Sequence, residues 1–106
     1  MALTKAFKSD LHLEDHFANH AARLGIADWQ EYLTRADAFL GGPKSKTAHE
    51  FRRPWNHDLV RFDPETDEYG VLDKDGYIKT YYKPDPKEHG FQTNWEYFEY
   101  EKSRAT

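Results

Sequence analysis

The stretch Leu59–Pro84, LVRFDPETDEYGVLDKDGYIKTYYKP, constrains the fold more than any other part of the chain. Its β-branched and aromatic residues fall into three short runs. Asp63-Pro64-Glu65-Thr66-Asp67 and Asp73-Lys74-Asp75-Gly76, both built from turn formers, separate them. The pattern predicts three antiparallel strands joined by two tight turns. Strand parity places Val60 and Phe62 on one face and Arg61 on the other. By the same rule Ile78, Thr80 and Tyr82 share a face, and Lys79, Tyr81 and Lys83 take the opposite one. If Val60, Phe62 and Ile78 pack on helices, then Arg61, Lys79 and Tyr81 point away from them.

Two helices are expected ahead of this meander. The first starts near Asp10 as N-cap, carries an apolar stripe of Leu13, Phe17, Ala21 and Leu24, and stops at Gly25. The second is capped by Asp28, with Glu31 three residues on as in a capping box. Its period runs through Trp29, Tyr32, Leu33, Ala36, Phe39 and Leu40, and Gly41-Gly42-Pro43 ends it. Lys44 to Glu50 reads as a mobile polar loop. Phe51 to Trp55 reads as a short edge strand or an ordered loop, since Pro54 argues against a central strand. Asn94 to Glu101 alternates as a strand does but also suits a short helix. The expected fold is α+β: two N-terminal helices packed on a small antiparallel sheet of three to five strands. One domain spans residues 1–106, with helices at about 10–41, the meander at about 58–84 and the C-terminal element at about 94–101.

Composition narrows the functional classes. Apolar residues make up only 38% of the chain, but it has three Trp, seven Tyr and seven Phe, so rings must supply much of the core. Fifteen basic residues against nineteen acidic ones give a net charge of -4, which counts against a non-specific nucleic-acid binder. The acids cluster, however, at Asp63, Glu65, Asp67 and Glu68 and again at Glu96, Glu99 and Glu101, leaving room for a local basic patch. With no cysteine, disulfides, thiolate zinc sites and a cysteine nucleophile are excluded. No apolar run suits a membrane helix, and MALTKAFKSD lacks the apolar core of a signal peptide. A reducing aqueous compartment is expected.

His12, His16 and His20 recur four residues apart, along one side of the first helix. With the Arg, Lys, Thr and Tyr of the meander, they suit phosphodiester cleavage without metal. Such cleavage needs a base for the ribose 2′-OH, an acid for the leaving 5′-oxygen, and donors for the charged phosphorane. His16 and His20 are candidates for acid and base. Arg61 and Lys79 are candidates for phosphate contacts, and Thr80 and Tyr82 for bonds to phosphate oxygens or a catalytic water. Arg52 and Arg53 beside Trp55, together with Lys83, are candidate RNA-backbone and stacking contacts. Each has a plainer reading: helix-rim histidines, an exposed cross-strand ion pair, strand-favouring Thr and Tyr, a solvated basic loop. The i,i+4 histidines also suit zinc, but the glutamate of an HExxH site is absent, and no metal or cofactor is assigned.

The ordered set Asp15-His16-Phe17-x-x-His20, Glu31-Tyr32-Leu33, Arg61-Phe62-Asp63-Pro64-Glu65-Thr66, Tyr69-Gly70, Asp75-Gly76 and Lys79-Thr80-Tyr81-Tyr82-Lys83-Pro84 carries a family resemblance. It resembles the C-terminal ribonuclease toxin domains of bacterial polymorphic and contact-dependent inhibition toxins, the group with the barnase/EndoU/colicin/RelE-type fold. Two positions depart from that pattern: Asn19 where a lysine is common, and Lys79 where an arginine is common. The resemblance implies a metal-independent ribonuclease, often directed at tRNA. It also implies action in the cytoplasm of a target cell and neutralisation by a cognate immunity protein. The alternative is a non-catalytic module that docks a protein partner through Trp55, Trp95, Tyr97 and Tyr100.

Overall fold

A computed structural model describes residues 3–105. Helix α1 (Asp10–His20) is capped by Ser9, whose Oγ accepts from the His12 N–H at 3.1 Å. Asp10 is therefore the first helical residue, where its charge suits the helix dipole, and not the cap. A 3₁₀ turn at Ala22–Leu24 follows, and Gly25 ends it at φ 75, a left-handed conformation that glycine adopts without strain. Helix α2 (Trp29–Gly41) begins as expected: the Asp28 carboxylate accepts from the Glu31 N–H at 2.9 Å.

Four strands form an antiparallel meander in chain order: β1 (His49–Arg52), β2 (Leu59–Asp63), β3 (Glu68–Leu72) and β4 (Ile78–Tyr82). The fold is α+β, with the N-terminal helices packed on the sheet. The segment expected as a mobile loop is tied down instead. Ser45 and Thr47 donate to the Asp63 carboxylate at 3.0 and 2.8 Å, and β1 already starts at His49. The C-terminal element is a helix. Thr93 caps α4 (Asn94–Arg104) by accepting from the Glu96 N–H, after a single helical turn, α3 (Pro86–His89). Asn94 and Phe98, four apart, are the buried pair of α4, which selects helix over strand.

The sheet is covered on both faces, so the face opposite Val60 and Phe62 does not point away from helices as expected. Arg61, Gly70 and Tyr81 pair across β2, β3 and β4 and share the face that carries α1 and α2. There Tyr81 and Ile78 join Phe7, Leu13, Tyr32, Ala36 and Leu40 in one core. Val60, Phe62, Tyr69 and Val71 face the other way and pack on Phe98 of α4. Val60 and Phe62 thus do pack on a helix, but on the C-terminal one, while Arg61 and Tyr81 turn inward toward the N-terminal pair. Gly70 lets α2 approach, because a Cβ there would stand 2.9 Å from Leu40 Cδ2.

A bulge explains the rest. Leu72 pairs with Ile78 but Val71 pairs with Thr80, so Lys79 is one residue too many in β4. Ile78 and Tyr81 therefore lie on the same face although three residues apart. Ahead of α1, an arm lies along the β3–β4 turn. The Lys5 N–H donates to Gly76 O, and the Ile78 N–H to Ala6 O, each at 2.8 Å. The arm buries Phe7.

Candidate active site

The edge strand β4 meets α1, and here four of the expected residues come together. Thr80 Oγ1 lies 3.3 Å from His16 Nδ1. Whichever of them donates, that hydrogen bond occupies Nδ1 and leaves Nε2 of His16 as the atom open to a substrate. The His16 and His20 rings stand 5.5 Å apart, as residues four apart on a helix should, and the His20 ring stands 5.2 Å from that of Tyr82. Phe7 stacks on the other side of His16 at 5.3 Å. The series Phe7, His16, His20, Tyr82 is thus a continuous row of rings along the edge of the sheet.

Its electrostatics suit proton transfer at mildly acidic pH. Both histidines are half-buried. Burial pushes the His16 pKa below its ordinary value; Asp15 opposes this and His12 reinforces it. Burial also lowers that of His20, the neighbouring His16 adds to the effect, and Glu88 and Asp15 oppose it. Both imidazoles are therefore poised to be neutral, and so basic, at neutral pH. The Tyr82 phenol is driven far above its ordinary value, first by burial and then by Tyr97, whose hydroxyl lies 3.2 Å away. Tyr82 can act here only as a neutral hydrogen-bonding group.

Two hollows flank this row. One of about 310 Å³ is lined by His12, His16, Tyr77, Lys79, Lys8 and the carboxylate of Asp73, which lies 3.9 Å from the Lys8 ammonium. The other, about 190 Å³, is lined by Tyr82, His89, Tyr97 and the carboxylates of Asp85 and Glu88. A third hollow, at Leu13, Phe17 and Trp29, shares no lining residue with either. Among the described residues, no three His, Asp or Glu side chains stand close enough to hold a metal ion.

The other candidates are placed as follows. Lys79 reaches the 310 Å³ hollow, and its ammonium donates to Asp58 at 2.9 Å. Arg61 is elsewhere. It is 6% exposed beneath α2, and its guanidinium donates to Phe39 O at 2.8 Å, to Gly42 O at 3.0 Å and to Glu50 at 3.0 Å. It satisfies carbonyls left open at the end of α2 and is not free to meet a phosphate. Arg52 donates to His57 O, in its own loop, at 3.0 Å. Arg53 instead pairs with Asp58 at 3.2 Å. Trp55 is exposed, with no ring contact among the described residues. Lys83 follows β4 directly; its carbonyl accepts from Arg23 at 3.0 Å. Sequence reasoning missed Phe7 and Asp58, and placed Tyr97 only on a docking surface. Asp58 alone had a signal: it lies two residues before Val60, on the same face of an extended chain.

No protein-family model matches the chain, and no curated protein shows significant similarity to it. Among the described residues, no helix is long and apolar enough to cross a membrane. The chain has no cysteine and so forms no disulfide-linked complex.

Proposed function

We propose that this domain is a metal-independent endoribonuclease of the bacterial toxin type. It cleaves tRNA by attack of a ribose 2′-OH on the adjacent phosphate, leaving a 2′,3′-cyclic phosphate. The observation that carries this reading is the row on the edge of the sheet: His16 bonded to Thr80, His20 beside it, and Tyr82 beside His20. One neutral imidazole takes the 2′-OH proton. The other, in protonated form, gives a proton to the departing 5′-oxygen. Thr80 orients His16, and Lys79 supplies positive charge to the phosphorane. Arg61 has no part in this scheme, because its donors are spent inside the fold.

As a toxin the domain acts in the cytoplasm of the cell it enters, and a cognate immunity protein covers the edge of β4. Cleavage of purified tRNA, with product ends analysed, tests the reading. Cyclic phosphate termini and loss of cleavage in His20→Ala are expected; 3′-hydroxyl termini would refute the 2′-OH mechanism. The docking-module alternative keeps three exposed rings, Trp55, Trp95 and Tyr100. Of its four rings, Tyr97 is stacked on His89 at 4.5 Å and Trp95 packs against His49 at 4.8 Å.

A further inference from the structure

Asp58 is 1% exposed, yet it is a carboxylate. Its Oδ2 accepts from Lys79 Nζ at 2.9 Å and from Arg53 Nη1 at 3.2 Å. Its backbone is held on both sides: its N–H donates to Asn56 Oδ1 at 3.0 Å, and its carbonyl accepts the Arg53 N–H at 2.9 Å. Burying a carboxylate is costly, and an apolar residue would anchor a loop without that cost. What the carboxylate adds is control over two cations. One negative charge against two positive ones leaves a surplus positive charge. The Lys79 side chain is 48% exposed and the Arg53 side chain 22%, so that surplus faces solvent.

The bulge completes the arrangement. In a regular strand Lys79 and Thr80 would point to opposite faces. With Lys79 as the extra residue, its ammonium reaches Asp58, on the Val60 side of the sheet, while Thr80 meets His16 at the β4 edge. Lys79 lines the hollow that His16 also lines, and His16 is bonded to Thr80, a donor set that fits a phosphate group. We infer that Asp58 is a positioning residue that holds Lys79 in the hollow it shares with His16, as a phosphate subsite at the β4 edge beside Thr80. The inference rests on the ribonuclease reading in taking the natural ligand to be a phosphate of RNA.

Two explanations of Asp58 predict opposite signs, which makes it testable. If Asp58 only subtracts charge, Asp58→Asn strengthens anion binding. If it positions Lys79, the variant loses a fixed donor and binds more weakly despite its added positive charge. The probe is inorganic phosphate, titrated while the backbone amide NMR signals of Thr80 and Lys79 are followed. Saturable shifts are expected in the native protein, with an apparent Kd about tenfold weaker in Asp58→Asn, the loss of one charge-assisted hydrogen bond. Equal or tighter binding in the variant, or no saturable shift in the native protein, overturns the proposal. Should Asp58→Asn fail to fold, Lys79→Met carries the test: loss of the Thr80 shift supports the site and its retention overturns it. In tRNA cleavage, Asp58→Asn should lower kcat/KM by about tenfold with a raised KM, matching the weaker phosphate binding, whereas loss of a mere loop anchor leaves the KM of the folded protein unchanged. Phosphate binding without any cleavage by the native protein would leave the subsite standing and remove the RNA assignment alone.

Discussion

Arg61 offers a prediction on which sequence and structure divide. From the sequence it is a phosphate contact, and its loss should abolish activity in a stable fold. In the structure it ties three elements together, and its loss should cost stability. Arg61→Ala removes charged donors from Phe39 O and Gly42 O at the end of α2 and from Glu50 of β1. Hydrogen bonds to a charged group contribute about 1.5–3 kcal/mol each. The Glu50 side chain is 31% exposed and recovers water, so its share falls toward the low value of surface pairs. In the other direction, Arg61 Nε is buried without a partner, and deleting it relieves about 1–3 kcal/mol. The net expectation is a loss of about 3 kcal/mol, a large share of the roughly 5–15 kcal/mol that holds a domain together. Urea denaturation followed by tryptophan fluorescence measures it; with a slope of about 1.5 kcal/mol/M the midpoint falls by about 2 M. Arg61→Met, which keeps the packing and removes both the donors and the stranded Nε, should lose less. A loss in Arg61→Ala below about 1 kcal/mol, together with abolished tRNA cleavage by the folded protein, would refute the structural role argued for Arg61.

Other consequences follow from the same geometry. Gly70→Ala forces a methyl group against Leu40 and should destabilise by about 1–3 kcal/mol, read as a lowered Tm; an unchanged Tm would contradict the close approach of α2 to β3. Because His16 and His20 both titrate below 6.5 and repel each other's charge, the singly protonated pair is most populated at mildly acidic pH. The kcat/KM profile for tRNA should therefore be a bell centred below 6.5, and an optimum on the alkaline side would exclude the pair as acid and base. The same depression links to stability. Below 6.5 the unfolded chain takes up protons that the folded histidines resist, so stability is full above that pH and falls as pH drops toward the folded values. Replacing both histidines by Gln should flatten this dependence between neutrality and mild acid in urea melts at several pH values.

Much of the architecture was legible because local chemistry and tertiary need agree. Asp28 and Glu31 mark the start of α2, and the two Asp-rich turns set the β2–β4 register. Elsewhere the signal was present but ambiguous. Thr93 and Glu96 form the frame of a capping box, yet the alternation of Trp95, Tyr97 and Glu99 reads equally well as a strand, and only the burial of Phe98 and Asn94 decides. β1 had little local signal, since a four-residue edge strand is defined by its pairing to β2. The extra residue at Lys79 was invisible, because a bulge is a property of two strands and not of one. That single insertion turns Tyr81 into the core on the same face as Ile78, which parity forbids. The histidine row was legible from the i,i+4 spacing. Its partners were not, because Phe7, Asp58 and Tyr97 reach the site from sequence-distant segments. The burial of Arg61 was hidden for a similar reason: the carbonyls it serves belong to another element.

The central claim is that His16 and His20 cleave RNA without a metal. The measurement that meets it most directly is incubation of the purified domain with total RNA and with tRNA in EDTA, beside His16→Ala/His20→Ala. The account predicts a discrete, EDTA-resistant cut in tRNA that the double variant, still folded by circular dichroism, fails to make. A cut that vanishes in EDTA, or one that the double variant makes as well as the native protein, would contradict it.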